Sequence, residues 1–378
     1  MKNNSPLSYI ELSKENLIHN FKVLKSVSKK GTKIAVAVKG NAYGHGQKEV
    51  VGILDSYADY FMVNSFEELE LLRKKSNKKT FVFGYVAKKY LPKAIKLGCI
   101  LSVFSIEELK EVEKIAQKLK IKQEVHVPTD SYVGREGFLL NELPDFFEEI
   151  KKCKNVKLTG IYAHFANIED TNNFTHAKKQ IKTYEDALKL AEKYGFKNLQ
   201  RHISATSGLL VYEKDNGVNS IVRLGIGIYG LWPSEHIKYL YKNKLELKPV
   251  LSWKTKIAQI KTLPAGHTIG YGLTYMTYEP TKIALIPQGY SDGLDRRFSN
   301  KGEVLIKGAR CKILGRVAMN MFVVNVSHLA EVEVEDEVVL LGMQGNEQIT
   351  AEEMAGKIDT INYEITTRLS TLLPRIVL

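Results

Sequence analysis

The sequence has few cysteines and no long apolar run. Its three cysteines, Cys99, Cys153 and Cys311, are widely spaced and show neither a CxxC pair nor a metal-ligand spacing, so we expect no disulfide scaffold and no metal site. No apolar run approaches the roughly 18 residues of a membrane helix. Residues 1–13 are polar and lack the apolar core of a signal peptide. These absences favour a cytoplasmic protein that does not associate with a membrane.

The chain has fewer acidic than basic residues. The chain has 55 Lys and Arg against 42 Asp and Glu, which gives a formal net charge of +13. The basic clusters are dispersed, as at Lys78-Lys79 and Lys151-Lys152, and they lack the interleaved aromatic residues of a nucleic-acid surface. We interpret them as solvated helix faces and expect no nucleic-acid partner, although a positive field could also attract an anionic cofactor or substrate.

Strand-like and helix-like segments alternate through the first part of the chain, which contains no low-complexity stretch. Such alternation predicts parallel strands joined by crossover helices, and eight repeats over roughly 200 residues match a (β/α)8 barrel of the TIM type. An open doubly wound sheet is the alternative, but the first loop has no GxGxxG. The predicted strands are Lys33–Val38, Tyr60–Asn64, Thr80–Phe83, Ile100–Phe104, Glu124–Val127, Leu158–Phe165, Leu199–Ala205 and Ile221–Tyr229. The predicted helices include Glu67–Lys74, Ile106–Lys120, Leu143–Lys152, Asn173–Tyr194 and Ser207–Asp215.

The pattern changes near Asn243 to short alternating runs separated by turn residues, which predicts a mainly antiparallel β domain. We therefore expect an α/β domain over 1–243 and a β domain over 244–378, and the first residues of the chain could join the β domain. The predicted strands of this part are Leu251–Ile260, Lys282–Ile286, Glu303–Ile306, Lys312–Leu314, Met321–Val326 and Glu337–Leu341.

The most informative segment is 36–46, VAVKGNAYGHG, in which Lys39 closes an apolar run and a turn of small residues follows. A partly desolvated lysine at a strand end has a lowered pKa and can attack an aldehyde, as a lysine that binds pyridoxal phosphate must. On this pattern alone, a lysine that merely extends to water is the stronger interpretation.

Other polar residues fall where a barrel would place a site, at the carboxyl ends of its strands. Arg135 follows the fifth predicted strand, and His164 lies at the end of the sixth. Small residues after the seventh and eighth strands, at Ser207-Gly208 and Gly225-Ile226-Gly227, would let backbone N–H groups approach a phosphate.

Six segments together resemble the bacterial alanine racemases, which are pyridoxal phosphate enzymes with a barrel and a β domain. The resemblance extends from about Ile10 to Arg375. Each segment is weak alone, but six in the family's order form a specific pattern. They are 38–46 (VKGNAYGHG), 160–165 (GIYAHF), 222–226 (VRLGI), 270–272 (GYG), 286–293 (IPQGYSDG) and 361–364 (INYE).

The resemblance implies two catalytic residues, Lys39 and Tyr271. Lys39 would carry pyridoxal phosphate covalently and exchange a proton with one face of the substrate's α-carbon. Tyr271 would serve the other face from the other subunit, and the unperturbed pKa values of Lys and Tyr are both near ~10. His164 would hydrogen-bond Tyr271, and Arg223 would support His164 and face the cofactor's pyridine nitrogen.

The resemblance also implies the binding residues. The cofactor would be held by Lys39, Tyr43, His164, Thr206, Arg223, Gly225, Ile226 and Tyr363. The substrate would be bound by Arg135, Met319 and Tyr290. Because Met319 and Tyr271 would come from the partner subunit, the resemblance implies an obligatory homodimer. Ser207 remains an alternative to Thr206 as the hydroxyl that contacts phosphate.

The chain departs from the family around Arg135. Many relatives have a lysine, often carbamylated, where this chain has Pro128, and an aspartate where it has Asn320. Two negative charges near Arg135 would therefore be missing, and an unpaired buried cation is costly. We predict that a bound anion such as chloride, or a neutral hydrogen-bonding side chain, compensates Arg135.

The function implied is the interconversion of L- and D-alanine, which would supply D-alanine for peptidoglycan. A serine or broad-specificity racemase is the nearest alternative, because such relatives share Lys39 and Tyr271. A pyridoxal phosphate decarboxylase, a cofactor carrier with the barrel alone and a basic nucleic-acid-binding protein are more distant alternatives. The segments around Tyr271 and Arg223 count against the decarboxylase, and the β domain counts against the carrier.

Overall fold

The computed structural model describes residues 6–213 and 219–378, which form two compact units. One unit contains Ile18–Gly40 and Val50–Lys248. The other contains residues 6–17, Asn41–Glu49 and Pro249–Leu378. The short segment Asn41–Glu49 therefore groups with the second unit, although it lies between two parts of the first in sequence.

The first unit is an eight-stranded parallel barrel, which confirms the predicted fold class of the N-terminal part. After β1 (Tyr9–Leu12) of the second unit, the barrel strands are β2 (Lys33–Ala37), β3 (Tyr60–Val63), β4 (Thr80–Val82), β5 (Ile100–Ser102), β6 (Gln123–Pro128), β7 (Val156–Tyr162), β8 (Gln200–His202) and β9 (Ile221–Leu224). They pair in the order β8-β7-β6-β5-β4-β3-β2-β9. Backbone hydrogen bonds from Ser220 to Arg201 and from Arg223 to Ser204, 2.9 and 3.0 Å long, join the two ends of this sheet.

Amphipathic helices alternate with these strands, as predicted. Among the described residues of this part, the helices are Lys14–Ser26, Gln47–Leu54, Phe66–Arg73, Leu91–Lys96, Ile106–Leu119, Leu143–Lys152, Thr175–Lys193 and Glu235–Tyr241, and short helical turns occupy Lys39–Tyr43 and Thr206–Gly208. Several of them begin at serine N-caps, since the side chains of Ser65, Ser105 and Ser234 accept hydrogen bonds from backbone N–H groups of the first turn. None of the described helices has the length and hydropathy needed to cross a membrane.

Two predicted elements of the barrel need correction. The expected last strand, Ile221–Tyr229, ends at Leu224, and a 3-10 helix occupies Ile226–Tyr229. The predicted helix Ser207–Asp215 begins as an α-helical turn, Thr206–Gly208, and continues as a π-helix over Leu209–Glu213. Residues 214 and 215 of that prediction lie outside the described residues.

The second unit is mainly antiparallel, as predicted. Its strands after β1 are β10 (Leu251–Lys256), β11 (Gln259–Leu263), β12 (Thr268–Ile269), β13 (Tyr275–Met276), β14 (Thr281–Ile286), β15 (Glu303–Ile306), β16 (Ala309–Leu314), β17 (Phe322–Asn325), β18 (Glu337–Gln344), β19 (Glu347–Ile349) and β20 (Arg375–Val377). The α-helices Ala351–Lys357 and Asn362–Thr367 follow β19. The single strand predicted over Leu251–Ile260 is two strands, β10 and β11. β1 pairs antiparallel with β10 and parallel with β20.

Candidate active site

Lys39 opens a left-handed turn at the carboxyl end of β2. Gly40, Asn41, Ala42 and Tyr43 have φ angles of 60°, 53°, 55° and 54°, a conformation that costs roughly 1–2 kcal/mol for each L-residue. The strand itself ends at Ala37, one residue before the predicted end at Val38.

A glutamate holds the start of this turn. The carboxylate of Glu68 accepts hydrogen bonds from the backbone N–H of Gly40, at 2.6 Å, and from that of Asn64, at 2.7 Å. Glu68 therefore ties the end of β2 to the end of β3 and fixes the backbone from which the Lys39 side chain projects. No local sequence pattern marks Glu68, because its partners are backbone groups of other loops.

The Lys39 ammonium lies in an environment that favours its neutral form. Partial burial of the group lowers its pKa below the usual value, and the positive charges of Arg135 and Arg223 lower the pKa further. Glu68 and Glu136 act in the opposite direction. The residue as a whole remains open to solvent in the described chain, so the amine is both accessible and easier to deprotonate than an ordinary lysine.

Arg223 is buried at the carboxyl end of β9, with 6% of its surface exposed. One of its terminal nitrogens, Nη2, donates to the carbonyls of Ala163 and Ile203, at 2.6 and 2.9 Å, and lies 3.2 Å from Nδ1 of His164. Burial lowers the pKa of Arg223 to about 10. The guanidinium therefore keeps its charge near neutral pH.

Two aromatic rings lie against this guanidinium. Its carbon is 5.5 Å from the ring centres of both Phe83 and Tyr162, a distance at which a cation is attracted to a ring. Neither ring was predicted as a site residue, although both lie near the carboxyl ends of predicted strands, a signal that could have identified them.

His164 is held as a neutral imidazole. Burial lowers its pKa to about 3, and the charges of Arg223, Arg135 and Lys39 contribute to this shift. Because Arg223 donates to Nδ1, the single proton of the neutral ring is on Nε2. His164 can therefore donate a hydrogen bond from Nε2.

The loops after β8 and β9 have the features of an anion cradle. Oγ1 of Thr206 is buried and has no hydrogen-bond partner in the structure, although a buried hydroxyl normally has one. The 3-10 helix that begins at Ile226 follows Gly225, and the first N–H groups of a helix lack intrahelical acceptors. A Cβ on Gly227 would lie 2.6 Å from the Thr206 side chain. These residues fit a phosphate group, and the unpartnered hydroxyl favours Thr206 over Ser207.

Arg135 has a carboxylate partner that the sequence analysis did not anticipate. Its guanidinium forms a two-bonded ion pair with Glu136, in which Nη2 is 2.8 Å from one carboxylate oxygen and Nε donates to the other. The neighbouring glutamate thus supplies a negative charge beside Arg135, and the expected bound anion or neutral side chain stays a prediction. In the described chain, 61% of the Arg135 side-chain surface is exposed.

In the second unit, two of the predicted cofactor residues lie together. The rings of Tyr43 and Tyr363 have centres 6.0 Å apart and are inclined at 50°. Gly44 allows this arrangement, because a Cβ there would lie 1.8 Å from the carbonyl oxygen of Thr366. The segment that carries Tyr43 is therefore packed directly against the helix Asn362–Thr367.

Tyr271 begins a single 3-10 turn of the second unit, Tyr271–Leu273. It lies between Gly270 and Gly272, whose φ angles of 74° and 71° are in the left-handed region. The side chain is 73% exposed in the described chain, so it projects from the surface of its unit.

Tyr290 and Met319 lie on adjoining loops. The N–H of Tyr290 donates to the carbonyl of Ala318 at 3.1 Å, and that of Ser291 donates to the carbonyl of Met319 at 3.0 Å. A Cβ on Gly289 would lie 2.3 Å from both carbonyl oxygens, so glycine permits the close approach. Both predicted substrate residues are exposed, Tyr290 at 43% and Met319 at 56%.

Comparison with known proteins agrees with this architecture. A family model described as "Alanine racemase, N-terminal domain" matches residues 12–233, and "Alanine racemase, C-terminal domain" matches residues 250–377. The chain belongs to the alanine racemase family. An alanine racemase of Leptospira interrogans serogroup Icterohaemorrhagiae serovar copenhageni (strain Fiocruz L1-130) is 34% identical over 376 residues, which cover 98% of this chain and 95% of the relative.

Solved structures of the family have the same fold. Alanine racemase of Clostridium difficile 630 matches with a TM-score of 0.91 and 31% identity, over 99% of this chain and 96% of that one. A histidine racemase from Leuconostoc mesenteroides subsp. sake NBRC 102480 matches with a TM-score of 0.88 and 26% identity, over 99% of each chain. Membership of the family therefore confirms the resemblance and the fold, and these two solved structures differ in the amino acid for which they are named.

Proposed function

We propose that this protein interconverts L- and D-alanine and so supplies D-alanine for peptidoglycan, with pyridoxal phosphate bound covalently to Lys39. The observation that carries the proposal is the position of Lys39 just after the carboxyl end of β2, where burial and the charges of Arg135 and Arg223 lower its pKa. A neutral amine is required both to bond to an aldehyde and to accept a proton from carbon.

The described residues fit the cofactor. Thr206, Gly225 and Ile226 would hold the phosphate through the unpartnered hydroxyl and the backbone N–H groups described above. Arg223 would donate to the pyridine nitrogen, and Tyr43 and Tyr363 would complete the set of residues that hold the cofactor. When bound, the cofactor supplies an electron sink for the bond that is broken at the α-carbon. Arg223 stays protonated and donates without losing its proton, since its pKa is about 10.

Racemisation requires a proton to leave one face of the α-carbon and another to arrive on the opposite face. We assign one face to Lys39 and the other to Tyr271. His164 is suited to support Tyr271, because its neutral ring can donate from Nε2 to a phenolate oxygen while Arg223 holds Nδ1. Arg135, Met319 and Tyr290 would bind the substrate, with Arg135 directed to its carboxylate.

We further propose a homodimer in which each subunit donates Tyr271 and Met319 to the site of its partner. The exposure of both side chains supports this arrangement, because residues that act in a partner's site must lie on the surface of their own unit. The cytoplasmic location expected from the dispersed cysteines stays a prediction.

The decisive experiment incubates the protein loaded with pyridoxal phosphate with L-alanine in deuterated water, and follows optical rotation and α-deuterium uptake. We expect rotation to be lost and deuterium to enter both enantiomers. In Tyr271→Phe, racemisation should fall at least about 100-fold, the range over which general acid–base groups act, while deuterium still enters the enantiomer served by Lys39.

The matched control is Tyr278→Phe, because Tyr278 is an 85% exposed tyrosine of the same unit. This variant should keep the parent rate. If Tyr271→Phe racemises as fast as the parent, the assignment of two opposed bases is wrong. Release of carbon dioxide and an amine would instead indicate a decarboxylase.

A racemase for another amino acid is the second candidate, and the match to the histidine racemase supports testing it. The same assay with L-serine and L-histidine decides between the candidates. We expect alanine to have the highest kcat/KM. A higher kcat/KM for serine or histidine would identify that amino acid as the substrate in place of alanine.

A further inference from the structure

We propose that Glu136 positions the Arg135 guanidinium for the substrate's carboxylate. This inference rests on the proposed function, in which Arg135 binds that carboxylate. The starting observation is the two-bonded contact between adjacent residues, in which both oxygens of Glu136 face Nε and Nη2 of Arg135. A two-bonded pair fixes the plane of the guanidinium as well as its distance.

The loop that carries this pair is closed by its own backbone. The N–H of Asp130 donates to the carbonyl of Phe138 at 2.9 Å, and the N–H of Phe138 donates to the carbonyl of Pro128 at 3.0 Å. The carboxylate of Asp130 accepts from the N–H groups of Val133 and Gly134, at 2.9 and 3.1 Å. Arg135 and Glu136 are therefore presented from a loop that is bonded on both sides.

Glycines flank the pair at the two places where the chain turns. Gly134 and Gly137 have φ angles of 70° and 110°, in the region that favours glycine. A Cβ on Gly137 would lie 2.9 Å from the backbone of both Asp130 and Pro128. The loop thus holds Arg135 and Glu136 in one backbone conformation.

The pair also lies beside His164. Arg135 and Glu136 line a small cavity together with Tyr162, Ala163 and His164. Glu136 is the more buried partner, with 31% of its side-chain surface exposed against 61% for Arg135. Its carboxylate interacts with Arg223 as well as with Arg135, and both charges hold its pKa below the usual range. Glu136 therefore remains ionised and keeps one edge of Arg135 occupied, which leaves the other edge for a substrate.

The test uses Glu136→Gln, which keeps the shape of the side chain and removes its charge, in protein loaded with pyridoxal phosphate. The ligand is propanoate, which has the carboxylate of alanine and no amine and so cannot react. We expect the calorimetric Kd for propanoate and the KM for L-alanine to rise about tenfold, with kcat changed less than twofold. Glu136→Asp should recover part of the affinity because it restores the charge.

Two further variants separate positioning from a general structural effect. Glu148→Gln, which removes the carboxylate of an exposed ion pair with Lys151 on helix Leu143–Lys152, should leave Kd and KM unchanged. In an Arg135→Ala background, Glu136→Gln should have no further effect on propanoate binding, because two residues that act through one contact are not additive. A full tenfold loss in that background would overturn the inference.

The readouts distinguish the inference from the proposed function. If the parent fails to racemise alanine but Glu136→Gln still weakens propanoate binding tenfold, the proposed function is wrong and the positioning role stands. If the parent racemises alanine and Glu136→Gln binds propanoate with the parent's affinity, the positioning role is wrong and the function stands.

Discussion

Arg223 and His164 show how one buried contact sets two protonation states. The guanidinium stays charged because it donates to carbonyls and lies against two rings. Its charge then helps to keep the adjacent imidazole neutral, and its N–H selects the tautomer. A histidine in this position acts as a hydrogen-bond donor of fixed direction, and it does not titrate near neutral pH as an exposed histidine would.

We predict that Arg223→Lys lowers the free energy of unfolding by about 1–3 kcal/mol. Lysine keeps a positive charge but cannot reproduce the planar arrangement of donors, so a buried acceptor among the Ala163 carbonyl, the Ile203 carbonyl and His164 is left without its bond. Urea unfolding of the two proteins measures the difference. Arg201→Lys is the control, because Arg201 is exposed and its replacement should change stability by less than about 0.5 kcal/mol.

At the level of elements, the turn after β2 contains the longest run of left-handed residues in the described chain, the five consecutive residues 40–44. Glu68 bonds Gly40 at the start of this run, and Tyr43 contacts Tyr363 near its end. Strained backbone of this kind persists only where surrounding contacts determine it. Gly44 is the position where packing leaves no room for any side chain.

We predict that Gly44→Ala lowers the free energy of unfolding by at least about 2 kcal/mol more than Gly266→Ala. Both glycines have left-handed φ angles, 85° and 78°, so both alanines incur a backbone cost of roughly 1–2 kcal/mol. Only at Gly44 would the new Cβ meet another atom, since Gly266 has no neighbour within 4 Å. Thermal and urea unfolding of both variants measure the costs. Equal losses would show that packing at Gly44 contributes nothing.

For the whole molecule, buried histidines make stability depend on pH. Burial lowers the pKa of His45 to about 4 and the pKa values of His126 and His164 to about 3, and it lowers the pKa of His202 as well. Two of these rings bond each other, with Nδ1 of His126 2.8 Å from Nε2 of His202. In the unfolded chain each histidine would titrate near ~6.5.

Below about pH 6.5, these buried histidines bind fewer protons in the folded state than in the unfolded state. Their contribution to stability is therefore complete above about pH 6.5, the unfolded value, and is lost as the pH falls toward 4 and below. At pH 5.5 each such histidine reduces the free energy of unfolding by about 1.2 kcal/mol relative to pH 7. We predict a steady fall of the urea midpoint from pH 7 to pH 5.5.

Replacement of one buried histidine tests the assignment. His126→Gln should show a smaller fall between pH 7 and pH 5.5 than the parent, whatever its stability at neutral pH. His267→Gln, which changes an exposed histidine, should follow the parent's pH dependence. A parent midpoint that is flat over this range would contradict the proposed cause.

Much of the fold could be predicted, because strands and helices follow from patterns among neighbouring residues. Helix Leu143–Lys152 and strand Glu303–Ile306 have the predicted bounds, since turn residues and a change of apolar period mark their ends. The errors occur where tertiary contacts override the pattern. Residues Ile226–Tyr229 continue the apolar run of β9, yet they form a 3-10 helix after the strand.

The sequence by itself determined the barrel, the β domain and the residue types of the site, because hydrophobic periodicity and short motifs are properties of adjacent residues. Only the tertiary structure decided which groups meet. It brought Arg223 to carbonyls 60 and 20 residues away, and it turned the Glu136 carboxylate onto Arg135. The resemblance to the family marks Pro128 and Asn320 as positions where negative charges are missing, but the direction of a side chain depends on loop closure, which no local pattern encodes.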